Sequence, residues 1–408
     1  MKLTIMHLCH YAWLLTSLTV MCQAAEMPAP SKPHNAAWLA SLTHTPLAAS
    51  ATFDGNGRLW LASVKDGHVY VSYSDDWGKT TSTAVMVNAE AEYVAANGEN
   101  RPKILVAGNG NIFVSYTRSL ETPYAGNIRF SRSVDAGRHF SAPVTVNDNQ
   151  EPITHAFEAM GINQRGQIYL AWLDRRDAAD ARKKGEKYSG LAVYYAVSDD
   201  EGKSFQVNSK AADHACECCR VALAMDNDGI PVILWRQIYD KNVRDHAMLK
   251  LDGKSPALRV SSENWELDAC PHHGPAASID SDGVYHFVWF SNAPQKHGLF
   301  YAHTSDHGQH FSSALNFGNF NAQATHPNVL SLGKRVFIVW KEFDGKSTII
   351  NMMNSLDSGV HWTAPSKIAD TTDASDHPWL INDSKHAYLS WNTLSEGYRL
   401  IELAEQVP

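Results

Sequence analysis

Ser133-Val-Asp135-Ala-Gly137-Arg-His-Phe140 is the stretch on which the fold turns. A hydroxyl residue is followed two places on by Asp, two further by Gly, and three beyond by an aromatic. An Asp in a turn accepts hydrogen bonds from nearby backbone N–H groups. A Gly takes the left-handed conformation that other residues resist. The aromatic is placed to pack beneath the turn. The same spacing returns at Ser74-Asp-Asp76-Trp-Gly78-Lys-Thr-Thr81, Ser198-Asp-Asp200-Glu-Gly202-Lys-Ser-Phe205, Thr304-Ser-Asp306-His-Gly308-Gln-His-Phe311 and Ser355-Leu-Asp357-Ser-Gly359-Val-His-Trp362. A motif recurring at this scale is the signature of a repeat architecture.

Outward from each copy, a strand, a Gly turn and a second strand ending in an aromatic precede the motif. Ala51-Thr-Phe-Asp-Gly-Asn-Gly57-Arg-Leu-Trp60 and Ile104-Leu-Val-Ala-Gly-Asn-Gly110 to Tyr116 are the first two. Others run from Ala159 to Trp172, Ala222 to Trp235, Ala277 to Trp289, Val329 to Trp340 and Leu380 to Trp391, spaced about 50 to 63 residues apart. Asn-Gly and Asp-Gly supply the positive φ that a hairpin needs. The strands are β-branched and aromatic, as in Val232-Ile-Leu-Trp235. No long amphipathic helix is expected. The repeated aromatics Tyr116, Trp172, Trp235, Trp289, Trp340 and Trp391 read as packing between units, or as a stacking platform for sugar.

The pattern Ser/Thr-x-Asp-x-Gly-x-x-aromatic is the Asp box, and the chain resembles the sialidase-like (BNR-repeat) β-propellers over essentially all of residues 34–408. The resemblance implies an all-β fold: a single propeller of four-stranded blades, closed radially so that no long edge is exposed. Sialidases of this family have six blades. Seven strand pairs favour seven here, with six as the alternative. The last unit, from His377, has room for three strands, and the segment Ala36–Leu42 is expected to add the fourth and lock the ring. The fourth unit carries Leu251-Asp-Gly-Lys in place of an Asp box. The box carboxylates Asp76, Asp135, Asp200, Asp306 and Asp357 are structural and carry no activity.

Composition agrees. The 408 residues are 44% apolar and 19% charged, enough for a large core and too well mixed for a disordered chain. A net charge of −8 gives no footprint for nucleic acid. Nothing points to a nucleotide cofactor. Residues 1–24 read as a signal peptide, with Lys2, an apolar run from Tyr11 to Met21 and a small-residue site at Ala24. Residues 25–33 read as a Pro-rich linker and 34–408 as the propeller. The run is too short to span a bilayer, so a periplasmic or secreted protein is expected. Lipidation at Cys22 is the lesser reading, because Met21 is bulky where a small residue is wanted.

Two features point to chemistry. There are 20 His, roughly twice an average share, and the four cysteines beyond residue 24 lie close to some of them. In a propeller the entry to each first strand lies at the channel mouth. Those entries read Asn100-Arg101-Pro, Thr154-His155-Ala, Cys216-Glu-Cys218-Cys219-Arg220, Cys270-Pro-His272-His273-Gly-Pro, Thr325-His326-Pro and Asp376-His377-Pro. Thiolate and imidazole are ligands of copper and zinc. Cys216, Cys218, Cys219, Cys270, His155, His272, His273, His326 and His377 are therefore the candidate ligands of a soft metal. Disulfides are the alternative for exported cysteines. The histidines can also be read as caps of the preceding loops.

The resemblance raises a second function, an exo-glycosidase of the sialidase type acting on acidic sugars. Its arginines would bind the sugar carboxylate through their planar forks. Arg101 falls at the family's first arginine motif, here Arg101-Pro-Lys; Arg220 starts another first strand, and Asp174 is the candidate acid. The remaining positions are rich in His and Cys where Arg is expected. A disulfide-stapled scaffold for a periplasmic protein partner is the third reading. The charged stretch Asp174–Ser189 is the candidate lid or contact loop.

Overall fold

The computed structural model describes residues 46–407. The signal peptide, its cleavage site, the linker and the expected strand at 36–42 lie outside the described residues. What is described is almost wholly β. Four-stranded antiparallel meanders follow one another: β1–β4 (Ser50–Phe53, Leu59–Lys65, His68–Ser74, Val85–Met86) and β5–β8 (Lys103–Val106, Ile112–Ser119, Gly126–Ser133, Val144–Thr145). Next are β9–β12 (His155–Ile162, Ile168–Asp174, Leu191–Ser198, Ser209–Ala215) and β13–β16 (Ala222–Met225, Pro231–Tyr239, Val243–Lys250, Leu258–Arg259). These two join into one eight-stranded sheet through the Ala215–Gln237 pairing of β12 with β14. Then come β17–β20 (Ala276–Ile279, Tyr285–Ala293, Lys296–Thr304, Leu315–Phe317) and β21–β24 (Thr325–Leu332, Arg335–Phe343, Thr348–Ser355, Ser366–Thr371). The last, β25–β27 (Trp379–Asn382, Ala387–Thr393, Gly397–Glu402), has three strands.

The first strands of the seven units lie side by side in order, and β25 lies beside β1. They wall one cavity of about 310 Å³, to which Ala51, Leu105, Met160, Leu223, Ala277, Leu330 and Leu380 each contribute. The core lies between neighbouring sheets, where second-strand apolar side chains meet. Trp172, Trp235, Trp289, Trp340, Trp391 and Tyr116 are all fully buried. They are packing, and the alternative of an exposed sugar platform is corrected.

The five Asp-box turns share one pattern, between the third and fourth strands of their units. In the first, Ser74 Oγ donates to Asp76 Oδ1 at 2.7 Å, Gly78 N donates to Ser74 Oγ at 2.8 Å, and Thr80 N donates to Asp76 Oδ1 at 2.8 Å. The turn at Ser355–His361 repeats it at 2.8, 2.9 and 2.9 Å. Gly359 adopts φ +85°, and a Cβ there would stand 1.8 Å from the Tyr301 hydroxyl. Phe140, Phe205, Phe311 and Trp362 pack onto the cores below.

One expectation is corrected. The stretch after Asp174 is not simply a loop: Arg176–Lys184 forms a helix, α1, closed by Gly185 at φ 74°. Its Ala-rich sequence and left-handed Gly stop favour that outcome. No described helix is long and apolar enough to cross a membrane.

Candidate functional site

The entries to the first strands converge, and they do so on a carboxylate. Asn97-Gly-Glu-Asn100 forms a turn in which Asn97 Oδ1 accepts from the N–H groups of Glu99 and Asn100 at 3.0 and 2.8 Å. This fixes Glu99, which is buried. Arg220, before β13, donates Nη1 to Glu99 Oε1 at 2.6 Å. Gly274, before β17, donates its N–H to Oε2 at 2.8 Å. His326 Nδ1, at the start of β21, lies 3.4 Å from Oε1, and His377 Nδ1, before β25, lies 3.8 Å from it. The two imidazoles stack with centroids 3.4 Å apart and planes 19° apart. Gly98 makes room for them, since a Cβ there would fall 2.1 Å from the His377 ring.

Electrostatics separates the charges. Burial opposes ionisation of Glu99, but Arg220 and then His326 outweigh it and hold the carboxyl well below its usual range. Burial is the largest influence on His326 and His377 and pushes both imidazole pKa values below their ordinary value. His273 is also lowered, to about 3, chiefly by burial. It stacks 4.7 Å from His326 and shares a 2.9 Å hydrogen bond with Thr325.

The cysteines form a separate group. Cys216 Sγ lies 3.6 Å from Cys219 Sγ and 4.0 Å from Cys218 Sγ, all buried. Arg244 Nη1 donates to Cys216 Sγ at 3.1 Å. Hydrogen bonds from Cys218 and Cys219 depress the Cys216 thiol most; burial opposes them, and Arg236 and Arg244 assist. Cys218 shares a cavity wall with the exposed Cys270. None of the four is in a disulfide. Cys218, Cys270 and His272 line a cavity of about 630 Å³ together with Glu217, Phe157, Tyr124 and Arg175.

Not every expected ligand joins these groups. The Cys270–Pro275 loop divides between them: Cys270 and His272 face the sulfur cavity, while His273 and Gly274 face the Glu99 side. His155 joins neither. It sits at the start of β9 opposite Asp174, and its Nδ1 lies 2.9 Å from Asp174 Oδ2 with both side chains fully buried.

The three catalytic candidates are all committed to buried pairs. Asp174 also accepts from Trp172 Nε1 at 2.9 Å and from Arg176. Burial alone would raise its pKa, yet His155 and Arg176 bring it down to about 2. Asp174, the acid candidate, is thus committed to His155, Trp172 and Arg176 in this structure. Arg220 is spent on Glu99. Arg101 forms a bidentate pair with Asp376 at 2.7 and 2.8 Å. Tyr116 donates to Glu92 in a further pair, and burial and then Glu92 hold that phenol far above its ordinary pKa. Glu99 was missed by the sequence reading, which stopped at Asn100. The available signal was its position in an Asn-Gly-Glu-Asn turn just before a first strand.

No protein-family model matches the chain, and no curated protein matches it in sequence. Solved structures do share the fold. BP39L lectin from Burkholderia pseudomallei is 11% identical, with a TM-score of 0.55, covering 88% of this chain and 100% of that one. A polysaccharide lyase described as the PL25 ulvan lyase, bound to -[GlcA(1-4)Rha3S]-, is 10% identical at TM-score 0.54, covering 88% and 92%. A protein of unknown function from Dyadobacter fermentans is 13% identical at 0.52, covering 88% and 96%. The chain therefore has a propeller-type all-β fold built of antiparallel sheets.

Proposed function

We propose that this chain is an exported, sialidase-like propeller of seven blades, five of them with an Asp box, that binds a soft transition metal, copper or zinc, through Cys216, Cys218, Cys219 and Cys270. The observation that carries the reading is the sulfur spacing. A tetrahedral ion with bonds of about 2.3 Å needs ligand sulfurs about 3.8 Å apart, and the two distances here are 3.6 and 4.0 Å. Cys218, Cys219 and Cys216 lie mutually within 4.8 Å. Cys270 and His272, on the adjoining cavity wall, supply further donors. The cavity of about 630 Å³ gives a small ligand access to the ion. Ring closure by a strand from residues 36–42 completes the three-stranded last unit in this reading.

The test is elemental analysis with thiol counting on the processed protein recovered from a periplasm. One equivalent of copper or zinc is expected, lost in Cys216→Ser and in Cys218→Ser. Metal-free protein carrying two disulfides, or four titratable thiols, overturns the reading.

A second reading is glycan binding in the same cavity, as a lectin or as a carbohydrate-active enzyme on acidic sugars. It is supported by the exposed Tyr124 ring and by Arg175 on the cavity wall. Retention on a glycan array or turnover of a fluorogenic acidic-sugar substrate supports it. Silence in both, alongside captured periplasmic proteins, favours the scaffold instead.

A further inference from the structure

We infer that Glu99, His326 and His377 form a second metal site, independent of the sulfurs, for a borderline divalent cation such as Zn(II), Ni(II) or Cu(II). It shares no ligand atom with the cysteine site and does not rest on that reading.

The first argument is unmet valence. The Nδ1 atoms of His326 and His377 are buried and have no hydrogen-bond partner among the described residues. At 3.4 and 3.8 Å from Glu99 Oε1 they are too long and poorly placed for good hydrogen bonds. A buried nitrogen left unsatisfied costs about 1–3 kcal/mol, and here two face one carboxylate oxygen. The second argument is size. Ligand atoms of a tetrahedral ion with bonds of about 2.0–2.1 Å stand about 3.4 Å apart. One donor of each residue lies within 4.8 Å of the others, and the edges of 3.4 and 3.8 Å are near that value, so a turn of the stacked rings that points both lone pairs at one centre completes the set. The third is anchoring. Gly274 N and Arg220 hold the carboxylate in place before an ion arrives, and Gly98 leaves room for the His377 ring.

The surroundings select the ion. Arg220 occupies the same Oε1, which weakens attraction for a cation held by charge alone. Calcium and magnesium, which take six or more oxygens, are poorly served. Two imidazoles suit zinc, nickel and copper. The His326 and His377 side chains remain 14% and 19% exposed, so a solvent molecule can complete the coordination.

The probe is Co(II), titrated into metal-stripped full-length protein and read by optical spectroscopy. Bound cobalt with d–d bands and no thiolate charge-transfer band is expected from this site. In His326→Asn/His377→Asn that component should weaken at least tenfold, while any thiolate charge-transfer band stays. A folded double variant, judged by circular dichroism, that binds cobalt as wild type does overturns the inference. Should the variant not fold, proton NMR of cobalt-loaded wild type decides. Two exchangeable, paramagnetically shifted imidazole N–H signals support the site, and their absence refutes it. Loss of only the charge-transfer band in wild type would sink the sulfur reading and leave this one standing.

Discussion

Replacing Arg101 by Met should destabilise the fold by about 3–5 kcal/mol at pH 7, the cost of stripping one partner from a buried ion pair. Arg101 and Asp376 are 2% and 4% exposed. The guanidinium donates to Asp376 twice, at 2.7 and 2.8 Å, and to the carbonyls of Ala49 and Gly98 at 3.0 and 3.1 Å. The two charge-assisted bonds, at about 1.5–3 kcal/mol each, bracket the same range. Asp376 also accepts from Ala49 N, so the pair ties the last unit to the first two. Urea unfolding followed by the fluorescence of the 12 Trp measures the loss. Two controls separate charge from packing. Arg101→Met/Asp376→Leu removes the stranded carboxylate and should be milder than the single variant. The second control is pH. Burial already raises the Asp376 pKa, with Arg101 the largest opposing influence. Without Arg101 the folded-state pKa rises further, so the ionised form penalises the fold above it. The gap to wild type should narrow as pH falls from 7 toward 5. A single variant within 1 kcal/mol of wild type, or a double variant no milder than the single, would refute the reasoning.

Three other outcomes follow from single positions. Gly359→Ala should cost about 1–3 kcal/mol, because its φ is +85° and its Cβ would meet the Tyr301 hydroxyl. Gly55→Ala, with nothing within 4 Å, should be near neutral in the same thermal melts. Trp340→Ala empties a fully buried site and should cost about 3–5 kcal/mol by denaturant titration. In the Asp boxes, hydrogen bonds from the residue four places on lower Asp76 and Asp200 from 3.8 to about 2. A depressed carboxyl stabilises the fold above its ordinary pKa, and that stability is lost as pH falls from about 4 through 2. Asp76→Asn should flatten the acid limb of a pH–stability curve, and an unchanged limb would count against the turn's role.

The parts of this molecule legible in sequence are those whose partners are close in sequence. An Asp-box hydrogen bond spans two to four residues, so the motif carries its own geometry. The entries to the first strands were legible for the same reason: each is fixed by the hairpin that follows it. What the entries do to one another was not legible. Glu99 and Arg220 are 121 residues apart, and Arg101 and Asp376 are 275 apart. Nothing local tells an arginine that pairs across a ring from one that waits for a sugar. The histidines show the same limit. His155 and His377 occupy similar slots, but Asp174 stands opposite one and Glu99 near the other. Helix α1 is a different case. Its Ala residues and Gly185 were in view, and its many charges drew the reading toward a loop.

The ion pairs at the mouth move the functional question outward. A carboxylate-bearing sugar needs a free guanidinium fork, yet Arg101 and Arg220 are neutralised, and Arg236 is bound to three backbone carbonyls. Arg175 is the mouth arginine on the wall of the cavity shared by Cys218, Cys270 and His272. Among the described residues its fork is held only by a 3.3 Å bond from Nε to Thr154. If an acidic ligand binds this face, Arg175→Met should weaken it at least tenfold in titration calorimetry and leave the metal content unchanged. An unaffected affinity would place the acidic group elsewhere, and metal loss on the same substitution would mean that Arg175 shapes the sulfur site instead.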